Sequence, residues 1–446
     1  MSDTTKSGAL PPEHPIHFIG GLGAGMLPLA ALLADRGYRI SASDRREPSF
    51  PLPQGIEFWQ GHEPERIAPD ALCVYSLAIP EDDVERAFAT SRGQTVISRP
   101  RLLGMLAAEY AASVGVAGSH GKSTVTAMLS YLLADLSPTV LCGADIGEHG
   151  LVRGGDSLLV YEACEYRDAF LATQPTVALL LNLELDHTDY FADIHALERS
   201  FARFSASAEL TVYNADDECL SRIMQGTEAN AVSFGASSLA DYRYEILSVS
   251  DVTRFAVYHR GEPLGEFCLQ LPGSFNLKNA LAAIALSTEL GVPADTAARR
   301  LAGFRGIPRR LERIAMRSGY PVIYDYAHHP TEIAAGIDAV RAEGQEQVTV
   351  VFRPHTYTRT ASLWDGFVRA LRRADRVILL DVFAAREEAI VGIDSRNLAL
   401  AIGERATYAR SDTEAALLLL EQPPCATMLM GAGDLDGVKK ILEKNC

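Results

Sequence analysis

The chain has 446 residues, 48% hydrophobic and 22% charged, which suits a soluble protein of two to four domains with a sizeable core. Its net charge of −16 at pH 7 argues against nucleic acid as a partner, because binding a phosphate backbone needs a basic footprint. The seven cysteines are odd in number and form no CxxC pair, no apolar run reaches membrane-spanning length, and the first fifteen residues lack a hydrophobic signal core. A reduced, cytoplasmic protein with no membrane partner is expected, as a monomer or a homodimer.

A short apolar run at 16–19 leads into a glycine-rich turn, Gly20-Gly-Leu-Gly23-Ala-Gly25, followed by a helical pattern over 26–35 and a strand over 38–42 ending at Asp44. Further buried strands are predicted at 71–76 and 95–97, with a helix at 101–109. A strand at 113–117 enters a second glycine turn at 118–123, and a helix follows over 124–134. Apolar strands are expected at 158–161 and 176–182. After 304–310 come strands at 322–325, 348–352, 376–381 and 427–430, with helical patterns between them. The coarse reading is three successive α/β units, with boundaries near 108 and 308.

The strongest local signal is Gly118-Ser119-His120-Gly121-Lys122-Ser123-Thr124, between a strand and a helix. A phosphate chain needs closely approaching N–H donors, a helix N-terminus, a Lys charge and a hydroxyl for Mg²⁺, and all are present here. Val116 stands where the full P-loop pattern has glycine, so the match is to a shortened form. Glu162 ends one strand, and Asp186-His187 follows the end of another. Ligands of open α/β sheets bind beyond the carboxyl ends of the strands, which sets Glu162 and His187 near the phosphate loop as candidate Mg²⁺ or Mn²⁺ ligands. Taken alone, Asp-His is a weak signal and is better read as a structural hydrogen-bonded pair.

Asn276 and Asn279 precede an Ala/Leu-rich helix and share one helical face, where amides can read an adenine edge or simply cap the helix. In the last unit, Arg309-Arg310, Asp325-Tyr326-Ala-His328-His329-Pro330 and His355-Thr-Tyr-Thr-Arg359 cluster near strand ends. Such cationic and hydrogen-bonding groups suit a phosphorylated or carboxylated substrate. The pair His328-His329 finds no third ligand at zinc spacing. The first glycine turn reads as a phosphate turn, while Pro28, where Gly or Ala is wanted, weakens a dinucleotide reading.

These stretches, in this order, resemble the Mur ligases over nearly the whole chain, from His17-Phe-Ile-Gly20 to Gly431-Ala-Gly-Asp434. The most specific parts are Tyr326-Ala-His-His-Pro-Thr-Glu332 and Pro354-His-Thr-Tyr-Thr-Arg-Thr360, with Ser76-Leu-Ala-Ile-Pro80 and Asp381-Val-Phe-Ala-Ala-Arg-Glu387 in support. The resemblance implies a Rossmann-like domain over 1–108 for the UDP part, a central P-loop ATPase-like α/β domain over 109–308 for ATP and Mg²⁺, and a Rossmann-like domain over 309–446 that closes over the site. It further implies Lys122 and the loop residues Gly118 to Thr124 at the phosphates, and Ser123, Glu162 and His187 at the metal. Asn276, Asn279, Arg310 and Asp325 fall at the nucleoside, and Gly23, Gly25, Asp44 and Ser76 at the UDP end. Tyr326, His328, His355 and Arg359 fall at the muramate and amino-acid side.

The implied activity is ATP-dependent amide formation between the lactyl carboxylate of UDP-N-acetylmuramate and L-alanine. There is no lysine between Lys122 and Lys278. A carbamylated central-domain lysine, as in family members adding later amino acids, therefore has no residue to carry it. Leu22, Pro28, Phe275, Thr356 and Ser123 depart from the family's usual Gly, Gly, His, Arg and Thr. A tripeptide-recycling ligase and a non-catalytic nucleotide-sugar-binding paralogue stand beside this reading. An NAD oxidoreductase rests on the first glycine turn and Asp44 alone.

Overall fold

A computed structural model describes residues 14–186, 190–227, 230–385 and 387–445. Its strands fall into three sheets that follow one another along the chain.

The first sheet is wholly parallel, in the order Ile56–Gln60, Ile40–Asp44, Ile16–Ile19, Leu72–Tyr75, Val96–Ser98. Alternation in the first strand sorts its side chains. Phe18 joins the core under helix Leu27–Asp35, while Ile19 faces the opposite core with Trp59 and Ala89. The strand order reverses at Ile16–Ile19, and the glycine turn leaves the sheet at that switch point. Pro28 lies in the first turn of its helix, where a missing N–H costs nothing. The edge strand Ile56–Gln60 was not foreseen, because only Trp59 in it is buried.

The second sheet has ten strands. Its parallel part centres on Ala112–Ala117, flanked by Val177–Leu180 and Leu158–Glu162. Val114 and Val116 pack with helices Lys122–Leu132 and Ser274–Glu289. The second of these helices is Ala/Leu-rich and buried nearly all round, as expected of a helix covered on every side. At one edge an antiparallel ribbon, Tyr242–Val249, Thr253–His259 and Glu262–Leu269, extends the sheet. Arg260 and Gly261 connect its last two strands at φ 51° and 87°, the geometry of a primed two-residue hairpin turn. The sequence reading missed this ribbon, since the outer half of Tyr242–Val249 is exposed and shows no buried face.

The third sheet has six strands, with Tyr320–Asp325, Ala426–Met430, Val348–Phe352, Arg376–Leu379 and Ala406–Tyr408 parallel and Glu312–Arg317 antiparallel at the edge. Among the described residues no helix is long and apolar enough to cross a membrane.

The first and second units meet through a close backbone approach. Helix Arg99–Ala107 packs on the segment Tyr166–Ala172, and a Cβ on Gly104 would lie 2.0 Å from the Ala172 carbonyl oxygen. Arg153–Asp35 and Arg36–Glu109 add ion pairs, which partial exposure makes worth little.

Candidate active site

The phosphate loop leaves strand Ala112–Ala117 and turns into helix Lys122–Leu132, with Gly121 at its N-cap in the left-handed region (φ 86°). The loop is fastened to a neighbouring strand end. Ser119 N–H donates to the Asn182 carbonyl (3.1 Å), and the Asn182 side chain takes His120 N–H (2.8 Å) and gives to the His120 carbonyl (2.9 Å). The Ser119 hydroxyl and the Glu184 backbone bond each other in both directions. Ser123 and Thr124 are buried in the first helical turn.

Lys122 donates to the Gly118 carbonyl and to both oxygens of buried Glu165 (3.1 and 3.0 Å). Burial alone would lower its pKa; the Glu165 carboxylate outweighs that and holds it above the ordinary value. Glu162 ends strand Leu158–Glu162 and accepts from Gly143 N–H (2.6 Å) and the Cys142 thiol (2.9 Å). Cys142 also reaches the Ser123 carbonyl (3.8 Å), so one thiol links the Ser123 backbone to the Glu162 carboxylate. His187 lies outside the described residues.

A cavity of about 460 Å³ opens beside the loop. His120, Gly121 and Thr124 line it from the second unit, Asn276 and Asn279 from the buried helix, and Arg310, Asp325 and Glu332 from the third unit. A Cβ at Gly121 would sit 2.6 Å from Asn279 Oδ1, so glycine there lets the amide touch the loop. Asn276 donates to the Pro272 carbonyl (2.7 Å) and accepts from Asn279 (3.4 Å). Asp325 takes the Ala327 and Leu311 N–H groups (2.9 and 3.2 Å). Burial pushes its carboxyl up to about 6, opposed by nearby Arg310. Phe275 packs against the third unit's core at the cavity rim, an apolar contact across the boundary.

His120 crosses that same boundary. Its Nε2 is 3.0 Å from Glu184 and its Nδ1 3.0 Å from Glu332. Burial alone would lower its pKa; the carboxylates of Glu332 and Glu184 raise it to about 9, so an imidazolium bridges them. His329 caps helix Pro330–Ala342 and lies 3.7 Å from Glu184. Of the histidine pair that sequence spacing left without a third metal ligand, His329 thus meets Glu184 and His120 in space, while His328 turns to the Tyr326 carbonyl and Glu332. That grouping is already served by the His120 proton.

A second cavity, about 300 Å³, opens where the three units converge, lined by Ala78, Tyr166, Asp186, His355, Arg359 and Glu387. Arg359 forms a forked pair with Asp186 (3.1 and 3.2 Å) and lies 3.4 Å from His355 Nδ1. His328 and His355 rings are 6.2 Å apart. Burial depresses both imidazoles to about 4, helped at each by the Arg359 charge. Tyr326 stacks under the guanidinium groups of Arg309 and Arg310.

The first glycine turn lies apart from the phosphate loop, at the carboxyl edge of its own sheet. Gly20 and Gly21 N–H groups donate to the Ser43 carbonyl, and Leu22 N–H to Asp44 (3.2 Å), so Asp44 braces the turn. Ser76 accepts from Ala78 N–H (3.4 Å) beside it. At Gly25 a Cβ would come within 3.0 Å of the Arg99 guanidinium; at Gly23 it would first meet Met26 and the Gly20 carbonyl of its own turn. Sequence reading passed over Arg99 and Cys142, and it quoted Glu165 and Glu332 within motifs without giving either a role, because their partners are distant in sequence. The Glu162-Ala-Cys-Glu165 spacing was the one available signal.

Three family models cover most of the chain: the Mur ligase family catalytic domain matches 15–111, the Mur ligase middle domain 116–287, and the Mur ligase glutamate ligase domain 309–433. The chain belongs to the Mur ligase family. Among similar proteins, the UDP-N-acetylmuramate–L-alanine ligase of Caldanaerobacter subterraneus is 35% identical over 96% of this chain and 97% of its own. That of Agathobacter rectalis is 36% identical over 96% and 97%. The crystal structure of the UDP-N-acetylmuramate-alanine ligase of Thermotoga maritima superposes with a TM-score of 0.82 at 26% identity, covering 97% of this chain and 99% of that one. A murein peptide ligase from Psychrobacter arcticus, at 21% identity and TM-score 0.70 over 97% and 98%, shares the fold. As a Mur ligase, the protein is an ATP-dependent ligase, and its departures at Leu22 and Pro28 sit in a hydrogen-bonded turn and a helix start that accommodate them.

Proposed function

We propose that this Mur ligase joins L-alanine to the lactyl carboxylate of UDP-N-acetylmuramate at the expense of ATP, in cytoplasmic peptidoglycan precursor synthesis. The observation that carries the reading is the 35% identity to L-alanine-adding ligases across 96% of the chain. The lack of any lysine between 122 and 278 supports it.

A carboxylate resists attack by an amine because its carbon shares delocalised negative charge. Phosphoryl transfer from ATP to the carboxylate gives an acyl phosphate and ADP; alanine, its ammonium having released a proton to water, adds through its amine, and the tetrahedral intermediate expels phosphate as a second N–H proton is lost to water. Two anions must first approach one another, and the chain answers with Lys122, the helix N-terminus at Gly121 and the loop N–H groups. Asn276, Asn279, Arg310 and Asp325 are assigned to the nucleoside in the larger cavity. Gly23, Gly25, Asp44 and Ser76 are assigned to the UDP end, with Arg99 added beside Gly25. Tyr326, His328, His355 and Arg359 are assigned to muramate and alanine.

The donor types suit Mg²⁺ or Mn²⁺, a hydroxyl on Ser123 and a carboxylate on Glu162, and the Cys142 thiol contacts both the backbone carbonyl of Ser123 and that carboxylate. Ser123, Glu162 and His187 would hold the ion, which when bound supplies positive charge against the phosphates. Imidazoles depressed to about 4 are neutral acceptors at pH 7, so His355 and His328 orient the alanine amine rather than store its proton.

The test is phosphate release from Mg²⁺-ATP and UDP-N-acetylmuramate with L-alanine, without it, or with the tripeptide instead. Release that depends on L-alanine is expected. Release with the tripeptide alone would make the protein a recycling ligase, and binding of the nucleotide sugar with no release would make it a non-catalytic paralogue.

A further inference from the structure

The first unit holds a buried group of ionisable side chains that the ligation does not use. Glu85 is fully buried and Asp83 nearly so, at 0% and 6% exposure. Asp83 Oδ1 caps helix Val84–Ser91 by accepting from Glu85 and Arg86 N–H, which leaves Oδ2. Glu85 Oε1 accepts from Trp59 Nε1 (3.1 Å) and Glu63 N–H (3.3 Å), and Oε2 from the Ser43 hydroxyl. Among the described residues, the only basic side chains within ion-pair distance of these two carboxylates are histidines, His62 and His17. Burial works against the charge on Glu85, yet hydrogen bonds from His17, Ser43 and Trp59 hold its carboxyl below the ordinary value, so an ionised carboxylate sits here with no Lys or Arg partner among the described residues.

His62 Nδ1 points between them. It lies 3.6 Å from Asp83 Oδ2 and 3.8 Å from Glu85 Oε2, both too long for a hydrogen bond. The atom is shut off from water and has no hydrogen-bond partner. His120, by contrast, closes to 3.0 Å on each of its two carboxylates. The three atoms from His62, Asp83 and Glu85 all lie within 4.8 Å of one another. A tetrahedral ion with ligands at about 2.0–2.2 Å holds ligand atoms about 3.3–3.6 Å apart, so small side-chain shifts would complete the set.

We propose that His62, Asp83 and Glu85 bind a divalent zinc-type ion, with a fourth position open to water. The His62 side chain is 27% exposed, which gives the ion a route in. On the inner side His17, stacked on Trp59 at 4.8 Å and 6°, closes the pocket. The ion neutralises the two carboxylates and ties the segment after strand Ile56–Gln60 to the start of helix Val84–Ser91. Its role is structural, and the proposal does not depend on which acceptor the ligase uses.

The experiment compares the full chain with His62→Ala and with Asp83→Asn, which keeps a capping oxygen. Each protein is stripped with chelator, dialysed against Zn²⁺ and analysed for bound metal. Zinc captured elsewhere, including the catalytic pocket, is common to all three and cancels. The expected result is about one equivalent less in each variant. Melting temperature should rise with Zn²⁺ in the unaltered protein more than in the variants, with alanine-dependent phosphate release unchanged in His62→Ala. Equal zinc content in all three, for chains with native circular dichroism, overturns the proposal; so does an equal melting shift.

Discussion

His120 in the glycine loop before helix Lys122–Leu132 and Glu332 in the third unit lie 3.0 Å apart, so that loop also holds the third unit. Glu184 completes the bridge and accepts from Thr331 (2.6 Å) as well. Burial works against the charge on Glu332, yet its carboxyl is held well below the ordinary range by its cationic neighbours. Since His328 is itself neutral above about pH 4, the standing charges that do this at neutral pH are those of His120 and Arg310.

The pH dependence of this contact follows. His120 is raised from 6.5 to about 9, so its stabilisation is complete below pH 6.5 and is lost as pH rises through 9. Glu332 is lowered from 4.5, so its share is present above pH 4.5 and is lost on strong acidification. Both are whole between pH 4.5 and 6.5. An NMR titration of His120 should give a midpoint well above 6.5, and Glu332→Gln should lower it and cost about 1–3 kcal/mol. A midpoint near 6.5 in the unaltered protein would refute the bridge.

Lys122→Met should cut turnover about 100-fold or more, the usual cost of removing one preorganised charge from a transition state. Glu165→Gln removes one resting partner of Lys122 and leaves the lysine itself, so its loss should be smaller and fall mainly on KM for ATP. Steady-state kinetics with varied ATP separates the two, and a larger loss from Glu165→Gln would reverse these roles.

His328 and His355, both depressed to about 4, should leave no protonation step near pH 6.5 in kcat/KM for L-alanine. A decline attributable to them begins only as acid approaches pH 4 and protonates the acceptor nitrogen. The double alanine variant should lose about 100-fold or more in that parameter. A pH-rate limb near 6.5 that vanishes in the variant would show that one of them carries a proton during the reaction.

Gly104→Ala should destabilise the chain by about 1–3 kcal/mol, since its Cβ would strike the Ala172 carbonyl at 2.0 Å and part the first two units. Chemical denaturation measures this. An unchanged midpoint would mean that the helix Arg99–Ala107 shifts without penalty.

Much of this was legible from local pattern. The strand Val348–Phe352 falls where the apolar run placed it, and the phosphate loop sits between its expected strand and helix. The antiparallel ribbon escaped notice because its outward residues carry no buried periodicity, and Arg260-Gly261 is a weak turn signal beside Asn-Gly. The partners of the site residues escaped for another reason: Glu332 meets His120 across a sequence separation of 212.

The sequence by itself determined the order of the three units, the phosphate loop and the family. These rest on strand periodicity, on glycines at turns and on short motifs whose residues are chain neighbours. Tertiary structure alone decided that His120 carries a proton between two carboxylates and that His328 and His355 do not. It alone decided that Cys142 touches Glu162 and that His62 is aimed at Asp83 and Glu85. Charge state depends on burial and on which groups the folded chain brings within a few ångströms, and neither is a property of a residue's place along the chain.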